Sequence, residues 1–161
     1  MPEEILYKKS YFKRLGELSS LAPEAFQAFI AFDQAALKPN ALSGKVKELI
    51  AVAVAHITGC PYCIDLHVTN MKKQEASKEE MAEAIMVATA LKAGAALAHG
   101  VNALNAYDET EDEALYQSQY FKRISEFSNL SEAQFASFLK FDQEAMKPGL
   151  LSRKEKELIA V

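Results

Sequence analysis

Lys47-Glu48-Leu49-Ile50-Ala51-Val52-Ala53-Val54-Ala55-His56-Ile57-Thr58-Gly59-Cys60-Pro61-Tyr62-Cys63-Ile64-Asp65-Leu66-His67 is the stretch on which both fold and chemistry turn. Its first half is an apolar run that Ser43 can cap and Gly59 can stop, so it reads as a helix from Ser43 to about Thr58. Pro61 suits the first turn of a second helix, from about Pro61 to Lys73. On that helix, at about 100° per residue, Cys63 lies about 60° from Cys60 and His67 about 40° from Cys63. One helical face therefore carries two thiols and an imidazole.

The flanking sequence reads as helix too. Pro23 opens a helix with Phe26, Phe29, Ile30 and Leu37 at helical spacing, and Lys38-Pro39-Asn40 stops it. Ser77 with Glu80 caps another, with Met81, Ala84, Ile85 and Ala88 on one face. Gly94 is expected to break or bend it before a last helix near Ala95 to Ala106. No period-2 strand is found, so the fold class is all-α.

Residues 6–52 match residues 115–161 at a constant offset of 109, with 26 of 47 positions identical and no gap. Tyr11-Phe12-Lys13-Arg14 recurs as Tyr120-Phe121-Lys122-Arg123. Phe26, Phe29, Phe32, Asp33 and Gln34 recur as Phe135, Phe138, Phe141, Asp142 and Gln143. Chance does not produce this; a tandem duplication does. Ser131 with Gln134 and Ser152 with Glu155 read as capping boxes of the second copy. The expected organisation is a complete unit over 1–109, an acidic linker over 110–114 and a partial repeat over 115–161. The second copy ends at Val161 before any counterpart of the cysteines. Either the chain is a fragment of a two-unit protein, which the cut inside an apolar helix favours, or the extra helices pack on the first unit or a neighbouring subunit. Their apolar face (Phe135, Phe138, Leu139, Phe141, Met146) needs such cover, each buried side chain being worth roughly 1.5–3 kcal/mol.

Composition narrows the function. Half of the 161 residues are hydrophobic and 25% are charged, as in an ordinary globular chain. The net charge of -4 offers no general footprint for nucleic acid. The longest uncharged apolar run near the middle, Leu49 to Ala55, falls far short of the roughly 20 residues a bilayer needs. The stretch from Ala84 to Ala98 is interrupted by Lys92, so no membrane span is expected. The acidic start, Met1-Pro2-Glu3-Glu4, lacks the order of a signal peptide. The chain is expected to be cytoplasmic, where a cysteine pair is more often reactive or metal-binding than a static staple.

The parts at Cys60, Cys63 and His67 suit a thiol that attacks, a thiol that resolves and a proton relay. A helix start favours thiolate, and histidine exchanges protons near neutral pH. Glu48, beside an apolar run, is a candidate base. His56, four residues before Cys60, is a candidate support, and Tyr62 can gate the site or simply pack. His99 reads as a helix-end residue, and the Phe26, Phe29 and Phe32 series as core or subunit interface. Two other readings remain: a buried cysteine pair with His67 as filler, and a zinc site of Cys60, Cys63 and His67 with Glu48 or water as the fourth ligand. No second pair of ligands exists for a structural zinc.

Glu48, twelve residues further Cys60-x-x-Cys63, and then His67 resemble the alkylhydroperoxidase D-like branch of the carboxymuconolactone decarboxylase family, and Ser77 to Ala106 fits it as well. The resemblance implies an all-helical bundle assembling as a dimer, trimer or hexamer. It implies peroxidase or disulfide-reductase activity with no bound cofactor and no metal. Cys63 would attack a hydroperoxide substrate, and Cys60 would then condense with the sulfenic acid to a disulfide. Glu48 and His67 would relay the proton, and an external dithiol, dihydrolipoamide-like or a redox protein, would restore the thiols. The helix-start argument alone favours Cys60 as the attacking thiol. Members with a histidine between the cysteines differ from this chain, which has Pro61-Tyr62. The decarboxylases that name the family lack the cysteine pair. A protein or lipoamide disulfide reductase, and a helical oligomerisation module with idle cysteines, are the alternatives.

Overall fold

The computed structural model describes residues 5–109, 114 and 117–161; the expected linker over 110–114 lies outside the described residues except for Ala114. Among the described residues the regular structure is helical throughout, as the sequence pattern predicts. A 3-10 helix (Lys9–Glu17) runs into the single turn α1 (Leu18–Leu21), followed by α2 (Pro23–Leu37), α3 (Gly44–Thr58), α4 (Pro61–Lys73) and α5 (Lys78–Tyr107). A second 3-10 helix (Ser118–Glu126) and the turn α6 (Phe127–Leu130) precede α7 (Glu132–Met146) and α8 (Arg153–Ala160). The chain divides into two compact units, residues 1–81 and 82–161.

In the first unit, α3 and α4 pack against each other. Leu49, Val52, Ala53 and Ala55 of α3 and Met71 of α4 are buried. The cap residues act as the sequence suggests. Ser43 Oγ accepts from Val46 N–H at 3.2 Å. Gly59 takes a left-handed conformation with φ 66°. Its N–H donates to His56 O at 3.3 Å and the Cys60 N–H donates to Ala55 O at 3.1 Å. This double closure is a Schellman motif, and only glycine enters it without steric cost. It leaves Cys60 as the N-cap of α4 with Pro61 in the first turn.

In the second unit, residues 118–160 lie against α5. Glu83 accepts from Leu150 N–H at 2.8 Å and from Leu151 N–H at 3.2 Å. It also pairs with Lys156 at 3.0 Å. Arg123 donates to Asn105 Oδ1 at 2.6 Å and also bonds Asp108. The expected bend at Gly94 does not occur: α5 is continuous for 30 residues. Its glycines serve close approach instead. A Cβ on Gly94 would meet Phe138 at 3.5 Å, and one on Gly100 would meet Phe127 at 2.7 Å.

One further expectation is corrected. Ser131 forms no capping box, because its hydroxyl bonds the Gln134 side chain at 3.0 Å rather than a backbone N–H. The Ser152–Glu155 box does form. Helix α5 is also long and apolar enough to cross a bilayer by length and composition, with a mean hydropathy of 1.5 over its best window. Alanine supplies much of that score, and the core helix of a bundle meets the same criterion.

Candidate functional site

Cys60 and Cys63 face each other across the first turn of α4 and form a disulfide with a Cα–Cα separation of 5.3 Å. The Cys63 N–H also donates to Cys60 Sγ at 3.3 Å. This N-terminal turn leaves backbone N–H groups without helical partners, and they and the helix dipole favour negative charge on sulfur.

Glu48 and His67 meet although 19 residues separate them. His67 Nδ1 lies 2.9 Å from Glu48 Oε2. If the carboxylate is ionised it can only accept, so Nδ1 carries the proton and Nε2 is left as the basic nitrogen. Glu48 is 8% exposed, on the same side of α3 as the buried Leu49 and Val52. The α3–α4 packing thus places a buried carboxylate against an imidazole one helical turn beyond Cys63. Residues at this spacing on a helix are surface neighbours, with Cβ atoms roughly 5–6 Å apart.

Cys63 and His67 together border two cavities. One, of about 670 Å³, is walled largely by Phe12, Leu18, Phe26, Phe29 and Ile30. The other, of about 510 Å³, is lined by residues including Leu37, Leu42, Ile50 and Val54. Asp33 borders both. The surroundings of Cys63 are therefore mostly apolar, with a single carboxylate shared between the two spaces.

The other expected residues take different places. His56 Nδ1 lies 2.8 Å from Val52 O, so it donates to its own helix one turn back. Tyr62 packs edge-on to Tyr7 with ring centres 5.9 Å apart and tilted against Phe12 at 6.0 Å. It covers the outer side of α4, where Lys9 pairs with Asp65 at 2.7 Å. Phe29 and Phe32 are exposed and Phe26 half-buried, so none of the three is a buried core residue of the first unit. Among the described residues no three His, Cys, Asp or Glu side chains gather as a metal site would require. The sequence marks Asp33 only by its recurrence as Asp142; the fold brings it to the cavities that Cys63 borders.

The model of the carboxymuconolactone decarboxylase family matches residues 23–106. "Uncharacterized protein 4 in cox locus" of Paracoccus denitrificans is 43% identical over 97 residues, which is 60% of this chain and 87% of that protein. An uncharacterised protein of Haemophilus influenzae is 44% identical over 95 residues, 59% of this chain and 84% of the relative. One of Cupriavidus necator is 31% identical over 96 residues, 60% and 85% of the two chains. No solved structure matches the chain significantly.

Proposed function

The chain belongs to the carboxymuconolactone decarboxylase family, and within it we propose a thiol peroxidase of the alkylhydroperoxidase D-like kind. The observation that carries the reading is the Glu48–His67 hydrogen bond at 2.9 Å, one helical turn from Cys63. In the reduced enzyme, His67 Nε2 takes the Cys63 proton while Glu48 holds the resulting imidazolium. The Cys63 thiolate attacks the terminal oxygen of an organic hydroperoxide. The O–O bond breaks, Cys63 becomes a sulfenic acid, and the alkoxide leaves with the proton from His67 as an alcohol. The Cys60 thiol then displaces water from the sulfenic acid and closes the disulfide. An external dithiol, a dihydrolipoamide-like molecule or a redox protein, reduces that disulfide and is itself oxidised. A cytoplasmic setting suits this cycle, since its resting form is the dithiol.

The apolar walls beside Cys63 support an organic hydroperoxide over a purely polar one. The test is turnover of cumene hydroperoxide with a dithiol donor, together with the intact mass of the reduced protein after one equivalent of peroxide. A product two hydrogens lighter is expected, with turnover abolished in Cys63→Ser. Full turnover in Cys63→Ser overturns the mechanism. Turnover of a disulfide substrate with none of peroxide replaces it by a disulfide reductase. Unreactive thiols in the folded, reduced protein replace it by an oligomerisation module.

A further inference from the structure

Helix α2 turns an apolar stripe toward the two cavities beside Cys63, and Asp33 interrupts it. Phe26, Phe29, Ile30, Asp33 and Leu37 recur at the spacing of one helical face, and each lines one cavity or the other. Asp33, Cys63 and His67 line both, and no other described residue does. A sulfur, an imidazole and a carboxylate therefore share the junction of the two spaces. This carboxylate is held differently from Glu48, which meets His67 Nδ1 at 2.9 Å. Asp33 is half-buried, and among the described residues no hydrogen bond or ion pair engages its side chain. The other polar groups on these walls are turned elsewhere. Lys47 Nζ donates to Ala36 O and Lys38 O, both at 2.7 Å. Thr58 Oγ1 donates to Val54 O at 3.0 Å, and Lys13 is exposed. A carboxylate beside a thiol opposes its ionisation, so Asp33 does not serve to make the Cys63 thiolate. It is an acceptor that nothing described in the chain donates to, beside the atom that reacts.

We propose that Asp33 accepts the terminal O–H of the hydroperoxide and so aligns it for attack, an inference that rests on the peroxidase reading above. The Cys63 thiolate forms its S–O bond to the oxygen that carries this hydrogen. The O–O bond breaks, its electron pair goes to the alkyl-bearing oxygen, and that oxygen takes the proton from His67. The hydrogen held by Asp33 stays on the transferred oxygen and becomes that of the sulfenic acid. The charge-assisted hydrogen bond thus persists through the step it aligns. The same negative charge favours uncharged hydroperoxides over peroxide anions.

The test uses the full chain carrying Cys60→Ser, which leaves Cys63 as its only cysteine. Two rates are measured at Cys63: oxidation by cumene hydroperoxide, and modification by methyl methanethiosulfonate, which has no O–H or N–H to be held. Their ratio cancels any change in the thiolate fraction. Asp33→Ala is expected to lower the ratio at least about tenfold, the effect of one hydrogen bond to a charged group. Asp33→Asn keeps an acceptor oxygen at the same reach and is expected to restore most of it. Asp142→Ala removes the same charge from the equivalent place in the second copy and is expected to leave the ratio unchanged. If Asp33→Ala loses its helical circular dichroism, Asp33→Leu, which fills the apolar stripe, takes its place with the same expectation. An unchanged ratio in Asp33→Ala, a ratio as low in Asp33→Asn, or an equal fall in Asp142→Ala overturns the role of Asp33 while the peroxidase reading stands. A parent Cys63 that the thiosulfonate modifies and the peroxide does not oxidise overturns that reading, and this one with it.

Discussion

Residues 44–52 and 153–161 carry nearly the same text, yet they bury different sides of their helices. In α3, Glu48, Leu49 and Val52 are buried and Lys47 is half-buried. In α8, Lys156 at 3% exposure and Ile159 are buried, while Glu157 is exposed. The neighbour decides. Helix α3 is followed by a Schellman turn and α4, whose His67 meets the carboxylate side. In α8 it is the lysine side that is packed, against Glu83 of α5. A glutamate is thus a candidate base in one copy and a solvated surface charge in the other, with identical local sequence. The motif that carries chemistry is the pair of packed helices, not the Lys-Glu-Leu-Ile-Ala-Val string.

Variants of equivalent residues break or sharpen this contrast. The largest expected effect is on peroxide turnover. Glu48→Gln should slow oxidation of Cys63 by about 10²–10⁴-fold, the usual contribution of a positioned proton relay, and Glu157→Gln should leave it unchanged. Stopped-flow measurement with cumene hydroperoxide separates the two; equal effects would erase the distinction between the copies. Next is core packing. Leu151 is 1% exposed and Leu42 half-buried. Leu151→Ala should cost about 2–5 kcal/mol in urea unfolding, and Leu42→Ala clearly less. Gly59→Ala puts a Cβ on a left-handed residue and should cost about 1–2 kcal/mol, with a matching loss in the α3–α4 unit.

The smallest effect is the pH dependence of the α5 contact. Burial pushes the Glu83 carboxyl up, but bonds from Leu150 N–H, Lys156 and Leu151 N–H together outweigh it and leave it below the usual carboxylate range. A group depressed in the folded state stabilises above its unfolded pKa and loses that contribution as pH falls through its folded one. Unfolding of the second unit should therefore ease as the solution is acidified through and below the usual carboxylate range. Glu83→Gln should flatten that slope, and an unchanged slope would remove Glu83 from the contact.

Much of this architecture is legible before folding is considered. Ser43, Gly59, Pro61 and Ser77 mark helix ends because each satisfies or forbids a particular backbone group, which is a local matter. Cys60, Cys63 and His67 share a face for the same reason. Gly94 misleads because its reading was local as well: a glycine weakens an isolated helix, but here the missing side chain is the space that Phe138 enters. The Glu48–His67 bond was visible only as two candidates, since its geometry depends on how α3 and α4 cross. The difference in cover between Phe29 and Phe138 could not be read at all, because both stand at the same place in a Phe-x-x-Phe-x-x-Phe pattern and what covers them comes from elsewhere in the chain.

The joint at Gly59 and Cys60 also works as a ruler. Helix α3 ends at Thr58 and α4 begins at Pro61, so the count of residues from Glu48 to Cys60 sets the phase between carboxylate and sulfur. One residue inserted within the last turn of α3 would swing everything after it by about 100° around the helix axis. His67 and both sulfurs would leave the carboxylate together, with no side chain altered. Point substitutions along α3 can be absorbed one at a time, but a change of length cannot. The tolerance of this site to evolution is therefore expected to lie in composition rather than in spacing.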